Sequence, residues 1–273
     1  MSLRLALSAA LLVVACSRSG VQSAQADAVS RARPSARPAE IAAAPAAVVE
    51  LFTSEGCSSC PSADKTLAAL TAEAERSGRR VFTLELHVDY WNDLGWVDPF
   101  SAPIHSLRQG AYAKAFGLSG IYTPQMVVNG RDEFVGSHGA RATSAVESAL
   151  RVPARAAVNV RANWSSVSPP TIRVDYDVAS DVPLDLKLAA AEDQVATQVT
   201  RGENAGRSLQ HRHVVRAFES RRLAESKAGT WTLPWRGAPG TRVVVVAYAT
   251  DPETLAVVGA SAASLSASAS SAP

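Results

Sequence analysis

Residues 48–61 read Val48-Val49-Glu50-Leu51-Phe52-Thr53-Ser54-Glu55-Gly56-Cys57-Ser58-Ser59-Cys60-Pro61. The short apolar run Val48 to Thr53 predicts a buried strand. Pro61 suits the first turn of a helix, where its missing N–H costs nothing. A vicinal dithiol therefore stands between a strand and a helix. The N-terminus of that helix offers unpaired N–H groups and a partial positive charge. Such a charge favours thiolate over thiol at Cys57. Cys60, one turn further on, is placed to resolve a mixed disulfide. The pattern points to thiol–disulfide chemistry. A Cys-x-x-Cys pair also binds zinc, but a structural zinc site takes four ligands, usually from two such pairs. The chain has three cysteines, and the third, Cys16, lies in the N-terminal segment. A merely structural disulfide is the remaining alternative.

Outward from this pair, Ala63, Leu67, Leu70 and Ala74 share one helix face, and Gly78 can cap the helix. Val81 to Tyr90 alternates, with Phe82, Leu84, Leu86 and Val88 on one side and Glu85, His87 and Asp89 on the other. A strand–helix–strand unit of this length makes its strands parallel with a right-handed crossover. Asp89, Tyr90 and Trp91 should then lie near the cysteines. An aromatic loop from Trp91 to Phe100 follows. Ser101 is a possible N-cap of a helix whose inward face is Ile104, Leu107, Ala111 and Ala115. Tyr122-Thr123-Pro124 precedes a short strand, and Asn129-Gly130 signals a hairpin. A last helix spans about 140–151. Beyond Pro153 the period changes to two, at Val158, Val160, Ile172, Val174, Tyr176 and Val178, and again at Leu184, Leu186 and Leu188. Val243 to Val246 is continuously apolar. Such strands predict a β-sandwich-like domain.

The N-terminus reads as a secretory signal, with Arg4 before an apolar core, Leu5 to Ala15, too short to span a bilayer. It ends in Val13-Val14-Ala15-Cys16, which resembles a bacterial lipobox and makes Cys16 the candidate lipidated residue. Cleavage after Ala24-Gln25-Ala26 is the alternative. Either route leads to an oxidising compartment. The expected organisation is a lipoprotein signal peptide at 1–15, a Ser-, Ala- and Pro-rich tether at 16–46, a first domain at 47–152, a β-sandwich-like domain at 153–262 and a flexible tail at 263–273. A formal net charge of +2 over 273 residues gives no electrostatic footprint for nucleic acid. Membrane attachment is expected through the N-terminal lipid only.

Four motifs together resemble one family: Glu50 to Pro61, His87-Val88-Asp89-Tyr90-Trp91, Tyr122 to Gly130, and Arg201-Gly202-Glu203-Asn204 with Gly206-Arg207. It is the secreted bacterial thioredoxin-like family catalogued as the domain of unknown function numbered twelve-twenty-three. The resemblance implies an α/β fold, a thioredoxin-like domain followed by the β-sandwich-like all-β domain. Carried over from the thioredoxin superfamily, Cys57 is the nucleophile, Cys60 the resolving thiol and Pro124 a cis-proline facing them. Thr123, Tyr122 and Trp91 are the candidate substrate-binding residues. The dipeptide Ser58-Ser59 lacks the Pro or His of ordinary thioredoxins. Leu51 falls where their buried acid would lie. Asp89 is accordingly the leading candidate for proton transfer, with Glu50 and His87 beside it.

Other residues carry two readings each. Trp96, like Trp91, either walls a groove or covers a core edge. Glu55, next to the dithiol, either opposes thiolate formation by its charge or is a solvated loop acid. The stretch 201–216 is a polar hairpin on the sandwich, or a surface that docks an anion or faces the first domain. His211 and His213 are too few for a metal site. The expected function is a periplasmic thiol–disulfide oxidoreductase, acting on protein or small-molecule thiols and disulfides with an unidentified redox partner. No cofactor is implied. The rival readings are a soft-metal (copper) handling protein using both thiolates, and a non-enzymatic binding module.

Overall fold

Strand β1, Ala47–Thr53, is buried along its whole length. In a computed structural model, which describes residues 43–223, 227–238 and 240–265, it lies inside a large sheet. Helix α1, Cys60–Ser77, carries Pro61 in its first turn and ends at Gly78 in the left-handed conformation. Strand β2, Val81–His87, returns parallel to β1, pairing Ala47 with Val81 through Thr53 with His87. Helix α2 is Pro103–Phe116, strands β3 and β4 are Gln125–Val128 and Asp132–Val135, and helix α3 is Gly139–Ala149. The remaining elements are all strands: β5 Ala157–Val167, β6 Pro170–Ala179, β7 Leu184–Gln198, β8 Ser208–Leu223, β9 Lys227–Pro234, β10 Val243–Thr250 and β11 Val257–Leu265.

The expected thioredoxin-like domain followed by a separate β-sandwich is not what forms. Eight strands join in one mixed sheet of order β11-β10-β7-β8-β2-β1-β3-β4, and β5, β6 and β9 make a second, three-stranded sheet. Among the described residues there are three helices and eleven strands, so the molecule is mostly β. The seam is β2 beside β8, parallel, with Glu85 opposite Val214. The reason is the edge of β2. A free strand edge exposes unpaired N–H and C=O groups, and β8 covers it. Periodicity identifies a strand and its inward face but not its neighbour, so the extension was invisible along the chain.

Three cores result. On one face of the large sheet, Val48, Phe52, Leu84, Leu86 and Val127 pack with Ala189, Val215, Val244, Val246 and Tyr248, under α2 residue Tyr112. This core runs across the boundary expected at 152/153. On the other face, α1 and α3 cover β1 and β3 through Leu51, Leu67, Met126 and Val146. The small sheet covers β7 and β10 through Ile172, Trp231, Leu186 and Val245. The described residues form one compact unit.

The face of α2 also differs from expectation. Ile104 and Leu107 are exposed, at 43% and 69%, while His105, Arg108, Gln109 and Tyr112 are buried. Polar side chains go inward here because partners await them: Glu50 for Arg108, the Tyr122 carbonyl and Gln125 for Gln109, and the His87 carbonyl for His105. The hairpin at Asn129-Gly130 does form, with both residues at positive φ. It also braces the far half of the chain. Asn129 C=O accepts from Val257 N–H at 2.9 Å. A Cβ at Gly130 would come within 2.3 Å of the Leu255 carbonyl oxygen, so only glycine fits. The expected signal peptide, Cys16 and most of the expected tether and tail lie outside the described residues.

Candidate functional site around the dithiol

Cys57 and Cys60 are joined by a disulfide across the start of α1, with Cα atoms 5.4 Å apart. A tight turn delivers them: Cys57 N–H donates to the Ser54 carbonyl, and Cys60 N–H to the Cys57 carbonyl. The Ser59 hydroxyl stands 3.4 Å from Cys57 Sγ. Both cysteines are fully buried, while Ser58 and Ser59 between them are exposed.

Several expected neighbours converge here. The Trp91 indole N–H donates to Thr123 Oγ1 at 2.8 Å. A Cβ on Gly56, next to Cys57, would lie 3.2 Å from Trp91 Cβ, so Trp91 bridges the dithiol loop and the Thr123–Pro124 loop. The Thr123–Pro124 peptide is cis. Pro124 lies alongside the first turns of α1, since a Cβ on Gly136 would meet Leu51, Ala63 and Pro124 together. Tyr122 is engaged elsewhere, its hydroxyl donating to Glu133 at 2.7 Å. Asp89 is half-buried, and its carboxylate accepts from the Ser106 hydroxyl of α2. Glu50 lies on the opposite face of β1 from α1. It is clamped by Arg108, Tyr112 and Tyr248. Burial would raise its pKa, but the Arg108 charge and these hydrogen bonds outweigh burial and hold it below its ordinary value.

The stretch 201–207, between β7 and β8, faces the dithiol. Asn204 is buried, and its amide donates to the carbonyls of Glu55 and Cys57 at 2.8 and 3.0 Å. Ser58 N–H donates to Glu203 Oε2 at 2.9 Å. Gly202, at φ +75°, packs against Trp96. Of the readings of 201–216, the surface facing the first domain is the one that these bonds bear out for the strap, and the glycine-flanked polar motif was its signal in the chain.

Behind the strap lies a buried polar cluster. Glu55, expected to be solvated, is fully buried, and so are Glu85 and His87. Trp96 donates to Glu55 Oε2 at 2.9 Å. His211 bonds to Glu85 through Nδ1 at 2.6 Å and to Glu55 through Nε2 at 3.2 Å. His87 Nδ1 bonds to Asp98 at 2.7 Å, and Asp98 also accepts from Glu55 N–H at 2.8 Å. Burial alone would lower both histidines. The Asp98 charge outweighs it at His87, raised to about 9, and the Glu85 charge outweighs it at His211, raised to about 11. Asp64, one helical turn after Cys60, is raised by burial and by the Glu85 charge. These groups come from the β1–α1 loop, α1, β2, the Trp91–Phe100 loop and β8, and the β2–β8 seam is what adds His211 to them.

The family model described as "Protein of unknown function (DUF1223)" matches residues 48–248. The chain belongs to that family. No curated protein matches this DUF1223 chain. Among solved structures it is similar to protein AGR_C_4864 from Agrobacterium tumefaciens, at 27% identity and a TM-score of 0.59, covering 79% of this chain and 92% of that one. HBP35 of Porphyromonas gingivalis matches at 17% identity and a TM-score of 0.55, covering 84% of this chain and 79% of that one, a likeness of fold alone. No helix among the described residues is long and apolar enough to cross a membrane.

Proposed function

We propose that this DUF1223 protein is an exported thiol–disulfide oxidoreductase that works through Cys57 and Cys60. The observation that carries the reading is the pair itself, closed across the first turn of α1. Trp91 and the Thr123–Pro124 loop, adjacent to it, supply a surface for the substrate chain. Kinship with the thioredoxin superfamily is proposed for this dithiol unit alone. In the reducing direction, Cys57 thiolate attacks one sulfur of a substrate disulfide and expels the other as thiolate. Cys60 thiolate then attacks Cys57 Sγ and releases the second substrate thiolate. The substrate gains two electrons and the protein keeps the Cys57–Cys60 disulfide, until a partner dithiol reduces it by the same chemistry. Export fits a disulfide that persists, and Cys16 is the proposed lipid attachment point.

The burial of both sulfurs favours a second reading, a disulfide that only cross-links the structure. Exchange assays separate the two. The purified chain should reduce a disulfide substrate catalytically in the presence of dithiothreitol. Cys57→Ser should abolish turnover, and Cys60→Ser should accumulate mixed disulfides, because attack survives while resolution is lost. Absence of turnover, with no mixed disulfides trapped by Cys60→Ser, sinks the enzymatic reading in favour of the cross-link.

A further inference from the structure

The groups of a metal-binding site meet at the seam between β2 and β8. Glu85 and His87 stand two residues apart on β2, so their side chains share a face. His211 reaches the same point from β8. One ligand atom from each of the three lies within 4.8 Å of the others, and all three residues are buried. His211 Nδ1 is 2.6 Å from Glu85 Oε1, and His87 Nε2 is 3.5 Å from that same oxygen. These separations bracket the ~3.3 Å expected between ligands in a tetrahedral site with bonds of ~2.0–2.1 Å.

His87 Nε2 is buried and has no hydrogen-bond partner. An imidazole nitrogen left unpaired in an interior is costly. Its other nitrogen, Nδ1, is held by Asp98 at 2.7 Å. That pairing leaves Nε2 directed at the cluster. The arrangement is that of a metal-ligating histidine, whose outer ring nitrogen bonds a carboxylate. His211 repeats it, with Glu55 on Nε2 at 3.2 Å and Nδ1 pointing inward. Glu85 is anchored likewise, its outer oxygen accepting from Arg212 N–H at 3.0 Å. Each inner atom is therefore aimed by a bond to its outer atom.

We propose that Glu85, His87 and His211 bind a divalent transition-metal ion, of the class that takes two imidazoles and a carboxylate, such as zinc or iron(II). Asp64 Oδ2 stands beside this trio, 4.0 Å from His211 Nδ1. Binding displaces the ring protons at His87 Nε2 and His211 Nδ1, and both leave to solvent. The neighbouring group of Glu75, Asp193 and His213 offers the contrast. There the Arg212 guanidinium already bridges Glu75 and Asp193, so a cation is in place. At Glu85 the side-chain partners among the described residues are the two imidazoles, His211 and His87, which are themselves metal-binding groups. An ion there would tie β2 to β8 at their point of pairing, and so join the two halves of the chain beneath the dithiol.

The test uses the full chain with Cys57–Cys60 oxidised, so that neither sulfur can ligate. After chelator treatment and dialysis against Zn²⁺, elemental analysis should find one zinc per chain, and calorimetry a single site. The Cys57→Ser/Cys60→Ser variant should bind equally. His87→Ala should lose the site, and Asp98→Asn should weaken it by about 10–100-fold, as for other outer partners of metal ligands. Co²⁺ added to the unmutated chain keeps the test decisive if the variants do not fold. It should give visible ligand-field bands of a nitrogen- and oxygen-ligated ion without a thiolate charge-transfer band. Sub-stoichiometric zinc with no cobalt bands would overturn the proposal, as would full retention in folded His87→Ala.

Discussion

Glu50 is a carboxylate in the middle of an apolar strand, and it is tolerated because Arg108, Tyr112 and Tyr248 meet it. Arg108 is itself surrounded by the rings of Tyr112, Phe218 and Tyr248. Removing one member of a buried ion pair costs about 3–5 kcal/mol, because the other charge is left uncompensated. Glu50→Gln should therefore lower the urea stability of the chain by that order at pH 7. The pH dependence carries a definite sign. The folded pKa of Glu50 lies below its ordinary 4.5. Its contribution is present above that value and is lost as pH falls towards the folded pKa. The stability gap between the unmutated chain and Glu50→Gln should thus narrow below about pH 4.5. A gap that stays constant from pH 7 to the acid limb would contradict this assignment.

At the scale of elements, the strap 201–207 lies against the dithiol loop. Cys57 is fully buried in the disulfide form, and Asn204 and Glu203 hold the strap to residues 55–58 through three hydrogen bonds. Asn204→Ala removes two of these and leaves two carbonyls without their partner, at a cost of about 1–3 kcal/mol. The strap should then open more often. We expect faster reduction of Cys57–Cys60 by dithiothreitol in Asn204→Ala, followed by thiol labelling under native conditions. An unchanged rate would mean that the disulfide is reached from the Trp91 side without strap movement. The same loop explains why the polar motif at 201–207 has the composition it does. Glycine at φ +75° lets residue 202 approach Trp96, and asparagine supplies two donors to a backbone turn.

For the whole molecule, the consequence of a continuous sheet is cooperativity. Phe52 and Leu86 share a core with Val215, Val246 and Tyr248, so neither half buries its apolar surface alone. Calorimetry of residues 43–265 should give one unfolding transition with equal calorimetric and van't Hoff enthalpies. A fragment ending at residue 152 should expose the β2 edge and the Phe52 face, and bind a hydrophobic dye. Two resolved transitions, or a fragment with dispersed native-like spectra, would refute that expectation.

The amino-acid sequence by itself determined the local features of this protein. Pro61 and Gly78 bound α1, the alternation of β2 sets its two faces, Asn129-Gly130 forces a hairpin, and the Cys57–Cys60 spacing puts the pair within one helical turn. Each of these follows from interactions a few residues apart, which the order of residues records. Tertiary structure decided the rest. The pairing of β2 with β8 joins residues 85 and 214. His211 bonds to Glu55 and Glu85 across 156 and 126 positions. Arg108 and Gln109 turn inward only because Glu50 and Gln125 lie opposite them. A strand edge or a buried charge takes whichever partner completes its hydrogen bonds, and periodicity along the chain carries no label for a partner that is distant in sequence.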